Sequence, residues 1–243
     1  GKALHFGERD CSIQRRYQKI VEEAPAAIMP EETRQRLHKA AIDLVASARY
    51  LNAGTVEFLY DVDRGDFHFI EVNARIQVEH PVSECISGVD LVGLQLAVAE
   101  SGTLPFDQGD IALAGHAIEM RINAEDPDDN FMPRPGQVTR WQAPEGDGIR
   151  LDTHMGDGAM VPPFYDSMIG KLIAYGNDRA AALTRLRTAL DQIVIEGIGT
   201  NLALQRAIAR HPDFKTNDIN TRWLEQTFLP AYAREKETTH GTD

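Results

Sequence analysis

Leu37, Ala41, Leu44 and Ala48 recur three and four residues apart, the spacing that lines one face of a helix. Pro30, Glu31 and Glu32 stand before them. Proline fits a first helical turn, and acids there face the positive end of the helix dipole. The spacing predicts a helix from about residue 30 that stops near Asn52 and Gly54. Two strand-like runs follow, 55–60 and 67–72, joined by DVDRGD, which predicts a β-hairpin. Residues 89–101 predict another helix, with Gly102 just past its end. From about residue 112 to 176, short alternating runs punctuated by Gly and Pro predict a mostly β region. Leu183, Leu186, Leu190 and Ile193 then mark an amphipathic helix, with further helices expected over 201–210 and 218–229. The polar tail is expected to fray. The change of texture divides the chain into 1–111, 112–232 and a tail of 233–243, in the α+β class.

Composition narrows the function classes. A chain of 243 residues with 42% hydrophobic content can bury one large core or two small ones. A net charge of −12 argues against duplex nucleic acid as a partner, because phosphate binding needs a basic footprint. It leaves room for a small anion held by a local Arg and Lys cluster. Cys11 and Cys85 form no CxxC pair, so neither a zinc site nor a disulfide framework is expected. A reducing, cytoplasmic setting is the plain expectation. No run approaches 18 apolar residues, so no membrane span is expected. The opening GKALHFGERDCS is unlike a signal peptide and suggests a chain that begins inside a larger protein.

The segment 57–79 carries the chemistry. In FIEVNARIQVEH the odd positions are Glu71, Asn73, Arg75, Gln77 and Glu79; the even ones are Val72, Ala74, Ile76 and Val78. An extended chain sends these to opposite faces. A half-buried strand with a wet outer face would show the same alternation. The polar face, however, mixes carboxylates, an amide and a guanidinium. A hairpin turning at Arg64 also sets Glu57 roughly opposite Glu71. Like charges facing across a strand pair destabilise it, unless a cation lies between. Glu57, Glu71 and Asn73 offer only hard oxygen ligands, which suit Mg2+ or Mn2+ better than zinc. Mg2+ held by few carboxylates usually also holds substrate phosphates. The residues hint at metal-assisted phosphoryl chemistry, with Arg75 near to bind an anion.

TVEF followed by FIEVNARIQVEHPVSE resembles the ATP-grasp core of biotin carboxylases. GERDCSIQRRYQKIVEEAPA, HAIEMRINAEDP and PPFYDSMIGKLIAYG match the same family in the same order. The resemblance covers the chain to about residue 229, and only the C-terminal half of the family's enzyme. It implies the C-terminal half of an ATP-grasp domain, an antiparallel sheet with helices, followed by the β-rich biotin carboxylase C-terminal domain. The implied activity is that of an ATP-dependent ligase. Bicarbonate and ATP give carboxyphosphate, and its CO2 passes to biotin on a carrier protein. ATP, Mg2+ or Mn2+, and biotin are the implied cofactors and substrates.

The resemblance also implies roles. Glu57, Glu71 and Asn73 match the metal ligands at the ATP phosphates. Gln14 matches a position near those phosphates, and Tyr17 stands where the family usually has His. A phenol can donate one hydrogen bond but is not a cation near neutral pH. Lys19, Arg75, Gln77 and the backbone of Val78 match the bicarbonate cradle. Glu79 matches the base, whose ionised form nearby Arg75 and Lys19 would favour. Arg121 matches the guanidinium that stabilises the biotin anion; on strand parity with Glu119 and Asn123 it could equally sit on an exposed polar face. The implied partners are the biotin carboxyl carrier, a carboxyltransferase, the N-terminal half of the same enzyme and a second copy in a homodimer. The resemblance implies part of an acetyl-CoA or related acyl-CoA carboxylase, such as serves fatty acid biosynthesis, with acetyl-CoA, propionyl-CoA, methylcrotonyl-CoA and pyruvate all open as the final acceptor. The fragment alone is expected to be inactive. Two alternatives stand beside this reading: another ATP-grasp ligase, and a non-catalytic dimerisation or docking fragment. GxxxxGK[ST], GxSxG, HExxH and GxGxxG are all absent.

Overall fold

The computed structural model describes residues 2–240. The chain is α+β and divides into two compact units: Gly1–Asp10 with Ala24–Ala117, and Cys11–Glu23 with Ile118–Asp243.

In the first unit, helix α1 (Glu31–Ser47) starts after Pro30 with Glu31 and Glu32 in its first turn. It buries Thr33, Leu37 and His38. Leu37 joins Ala26 and Met29 in a small apolar cluster on which Phe58, Tyr60 and Phe67 pack. The helix ends several residues before the predicted stop. Arg49 takes a positive φ of 53°, and the Tyr50 N–H turns back to the Val45 carbonyl at 3.0 Å. That bend uses a carbonyl the next turn would need.

Strands β3 (Thr55–Asp61) and β4 (Asp66–Asn73) pair antiparallel, whereas β1 (Asp10–Arg15) and β2 (Gln18–Ala24) lie almost wholly in the second unit. Glu57 lies directly opposite Glu71, and Phe58 opposite Phe69, so Ile70 is the extra residue of a bulge. Beyond the hairpin come two helices, α2 (His80–Ser87) and α3 (Leu91–Ser101), where the pattern predicted one from residue 89. Gly88 at φ 69° closes α2 in a left-handed conformation that costs glycine little. Asp90 caps α3 through Gly93 N–H at 2.8 Å, and Gly102 ends it as expected. Among the described residues no single helix is long and apolar enough to cross a membrane. Only α2 and α3 taken together reach that length and composition, as a pair bent by 91°.

The second unit is built on a five-stranded sheet in which β1 and β2 are followed by β5 (His116–Asn123), β12 (Met168–Gly176) and β10 (Ile149–Thr153), in the order β1-β2-β5-β12-β10. β1 (Asp10–Arg15) and β2 (Gln18–Ala24) form a hairpin. Its two turn residues, Arg16 and Tyr17, both have positive φ (47° and 67°), as a two-residue primed turn requires. β5 (His116–Asn123) follows, then the short β6 (Glu125–Asp126), β7 (Met132–Pro133), β8 (Gly136–Gln137) and β9 (Arg140–Gln142). β10 (Ile149–Thr153) and β12 (Met168–Gly176) pair antiparallel, with β11 (Met160–Val161) between them in sequence. α4 (Arg179–Gln192) lays Leu183, Leu186 and Leu190 into the core, and buried Ile193 caps its end. The core also takes Ile118, Met120 and Ile122 from β5 and Phe214 from farther on.

β13 (Val194–Glu196) and α5 (Leu202–Arg210) follow α4. A short α6 (Pro212–Thr216) was not foreseen; Pro212 starts it and His211 Nδ1 accepts from Asp213 N–H at 3.2 Å. The helix predicted over 218–229 begins later. A π-turn at Leu224–Phe228 runs into α7 (Leu229–His240). The tail predicted to fray is therefore helical to His240, and 241–243 lie outside the described residues.

Candidate functional site

The hairpin sets two carboxylates face to face, and an amide answers that repulsion. Asn73 Nδ2 donates to Glu57 Oε1 at 3.2 Å and to Glu71 Oε1 at 3.1 Å. Gln77 Nε2 donates to the same Glu57 oxygen at 2.8 Å. Four of the sequence-predicted residues thus converge within the first unit. Two carboxylates and an amide oxygen, if the amide turned, would be a hard oxygen set that fits Mg2+ or Mn2+. Among the described residues no group of three His, Cys, Asp or Glu side chains is placed to hold a metal. The candidate set here rests on two carboxylates plus Asn73.

The predicted five-residue polar face does not form. β4 stops at Asn73, and Arg75 N–H turns back onto the Asn73 carbonyl at 2.9 Å. The chain then bends into α2, whose start is fixed by Pro81 and by His80, which bonds the Gln77 carbonyl through both N–H (3.2 Å) and Nδ1 (2.8 Å). Alternation ends with the strand, so Arg75, Gln77, Val78 and Glu79 owe their directions to this turn. Arg75 is exposed and donates Nη1 to the Ile76 carbonyl at 3.1 Å. Gln77 and Glu79 are buried, and Glu79 stands at the N-cap of α2. Val78 is half-buried.

Arg9 was missed by the sequence reading. Its guanidinium reaches Gln77 Oε1 at 2.7 Å, Thr55 Oγ1 at 3.2 Å and Ser83 Oγ at 3.1 Å. These partners lie tens of residues away, so no local pattern could have flagged it. Elsewhere in this unit, buried Glu8 is held by His38 Nε2 and Arg34 Nε, each at 2.8 Å. Burial alone would raise its carboxyl, but those hydrogen bonds overcome it and hold the pKa at about 2.

The remaining predicted residues lie in the second unit. Gln14 on β1 and Lys19 on β2 are half-buried. Tyr17 sits at the hairpin tip, 94% exposed. The tip is braced at Arg15, which stacks on Phe131 at 3.9 Å and bonds Asn130 Oδ1 at 2.8 Å. Arg121 projects from β5, and its Nε donates to Glu22 Oε1 at 2.7 Å. Glu22 is fully buried on β2, and the same oxygen pairs with Arg121 Nη2 at 2.5 Å. Gln205 and Asn201 fix the strand by donating to the Arg121 carbonyl at 2.7 and 3.0 Å. Glu119 and Asn123, which share Arg121's parity, are fully buried. The polar side of β5 is an interior network, not the exposed face that alternation also allowed.

Two family models match. Residues 1–106 match the ATP-binding domain of the carbamoyl-phosphate synthase L chain, and residues 119–226 match the biotin carboxylase C-terminal domain. Biotin carboxylase of Pseudomonas aeruginosa is 48% identical over 226 residues, 93% of this chain and 50% of that protein. A pyruvate carboxylase component of Methanothermobacter thermautotrophicus is 47% identical over 226 residues, 93% of this chain and 46% of that protein. The solved Campylobacter jejuni biotin carboxylase in complex with β,γ-ATP superposes with a TM-score of 0.87 at 46% identity, covering 91% of this chain and 49% of that one. The chain spans about half the length of the curated relatives it matches. The first model alone would also suit other ATP-grasp enzymes. The second model, the 48% identity to a biotin carboxylase over 226 residues and the shared fold together place this chain in the biotin carboxylase family.

Proposed function

We propose that this chain is the C-terminal part of a biotin carboxylase, which uses ATP and bicarbonate to carboxylate biotin on its carrier protein. The observation that carries this reading is the meeting of Glu57, Asn73, Glu71 and Gln77 on one hairpin end. Glu57, Glu71 and Asn73 would hold Mg2+ or Mn2+, which supplies charge neutralisation at the ATP phosphates. Gln14 and Tyr17 would contact the nucleotide. Lys19, Arg75, Gln77 and the Val78 backbone would bind bicarbonate. Glu79 would take its proton, and the freed oxygen would attack the γ-phosphorus, releasing ADP and forming carboxyphosphate. That intermediate breaks into CO2 and phosphate, and the phosphate removes the N–H proton of the biotin ureido ring. Arg121 would stabilise the resulting anion while it attacks CO2.

The reading places a domain boundary between residues 111 and 112. It assigns the later domain to contacts in a homodimer. It also calls for the N-terminal half of the enzyme, a biotin carrier and a carboxyltransferase, in the cytoplasm. Relatives named for biotin carboxylase and for pyruvate carboxylase both match, so the reading extends to biotin and leaves the final acceptor open. The test is complementation: this chain is mixed with the N-terminal half of the Pseudomonas aeruginosa biotin carboxylase. Bicarbonate-dependent ATP hydrolysis, absent from either half alone, is the expected result. Association of the halves without hydrolysis would sink the metal and base assignments and favour a docking fragment.

A further inference from the structure

Gln77 is held at both ends of its amide. Arg9 Nη2 donates to Oε1 at 2.7 Å, and Nε2 donates to Glu57 Oε1 at 2.8 Å. The chemistry of the partners fixes this orientation. A guanidinium only donates and a carboxylate only accepts. Turned by 180°, the amide would set N–H against guanidinium and C=O against carboxylate, losing both bonds inside a buried site. Arg9 is anchored in turn by Thr55 Oγ1 on β3 and Ser83 Oγ on α2. Nε2 carries a second hydrogen, and none of the described residues accepts it.

We propose that Arg9 is a positioning residue that fixes the Gln77 amide so that bicarbonate meets an N–H donor and never a carbonyl oxygen. This rests on the reading of Gln77 as a bicarbonate contact. A carbonyl in that place would repel an anion. The same amide also steadies Glu57, so one side chain sets both the metal carboxylate and the anion donor.

The test follows the Gln77 side-chain NH2 by NMR in the full chain while bicarbonate is titrated in. Arg9→Met removes the donor, Arg9→Lys keeps a cationic donor, and Ser83→Ala removes another Arg9 contact without touching Gln77. In the unaltered chain the two NH2 hydrogens should be distinct, rotate slowly and shift with bicarbonate. In Arg9→Met they should move toward free-amide values, and bicarbonate should bind about tenfold more weakly, the loss of about one hydrogen bond. Arg9→Lys should recover most of this, and Ser83→Ala should resemble the unaltered chain. Unchanged Gln77 signals and bicarbonate affinity in Arg9→Met would overturn the proposal, as would an equal loss in Ser83→Ala. Gln77→Glu guards against misfolding in Arg9→Met: it keeps a partner for Arg9 but has no N–H to offer. It should lose the bicarbonate response, and a retained response would also overturn the proposal. If the unaltered Gln77 ignores bicarbonate, the anion site itself is wrong and the proposed function suffers with it. The effect of Arg9 on the amide signals is read separately.

Discussion

Replacing Glu8 with Gln should destabilise the first unit at neutral pH and leave it almost unchanged in strong acid. Glu8 is buried and takes hydrogen bonds from His38, Arg34 and the Ala26 N–H at 2.8, 2.8 and 3.0 Å. Its carboxyl is held at about 2, against 4.5 for the unperturbed group. Such a depression stabilises the folded unit by about 3 kcal/mol at neutral pH, each unit of pKa being worth about 1.4 kcal/mol. Because the folded value lies below the unfolded one, this contribution is fully present above pH 4.5. It is lost as pH falls through the folded value of about 2. Trp141 and Trp223 both lie in the second unit, so fluorescence would report the wrong half. Hydrogen exchange of α1 peptides is the suitable assay. At pH 7 the Glu8→Gln variant should exchange these amides about a hundredfold faster, the equivalent of about 3 kcal/mol. The gap should close as pH approaches 2. Burial and His38 also push the neighbouring His5 down, giving an acid loss of the same sign that the variant comparison largely subtracts. A gap that stays constant from pH 7 to pH 2, or no gap at pH 7, would refute the reasoning.

Other outcomes follow from the same structure. In the complemented enzyme, Glu79→Gln should abolish biotin carboxylation while Mg-ATP binding, measured by calorimetry, stays within a few-fold; full turnover would remove Glu79 from the mechanism. Arg121→Ala should slow carboxyl transfer to biotin more than it weakens ATP binding. Glu22→Gln, which leaves the guanidinium without its buried carboxylate, should lower the same rate; an unaltered rate in both variants would sink the role of Arg121. Phe214→Ala empties a fully buried site and should cost the second unit about 3–5 kcal/mol in urea unfolding followed by tryptophan fluorescence. Gly197→Ala should also destabilise that unit by more than about 1 kcal/mol, because φ is +94° and a Cβ would meet the Gln137 carbonyl oxygen.

Local order was legible wherever neighbours in sequence decide it. The spacing of Leu183, Leu186 and Leu190 predicted α4, because a helix must bury one face. A hairpin turning at Arg64 set Glu57 opposite Glu71, and they do face each other, but only because the bulge at Ile70 shifts the register that the turn starts from Asp61 and Asp66. The family blocks pointed to candidate residues and to the chemistry they would suit. The sequence could not say where alternation stops. VNARIQVEH reads as one strand, yet backbone bonds at Asn73 and Gln77 turn it into a helix start. Nor could it pair Arg9 with Gln77, Arg121 with Glu22, or Glu8 with His38, which are separated by 30 residues or more. Periodicity reports which face of an element is apolar. Which donor meets which acceptor, and therefore which way an amide or a guanidinium points, depends on elements brought together only by the folded chain.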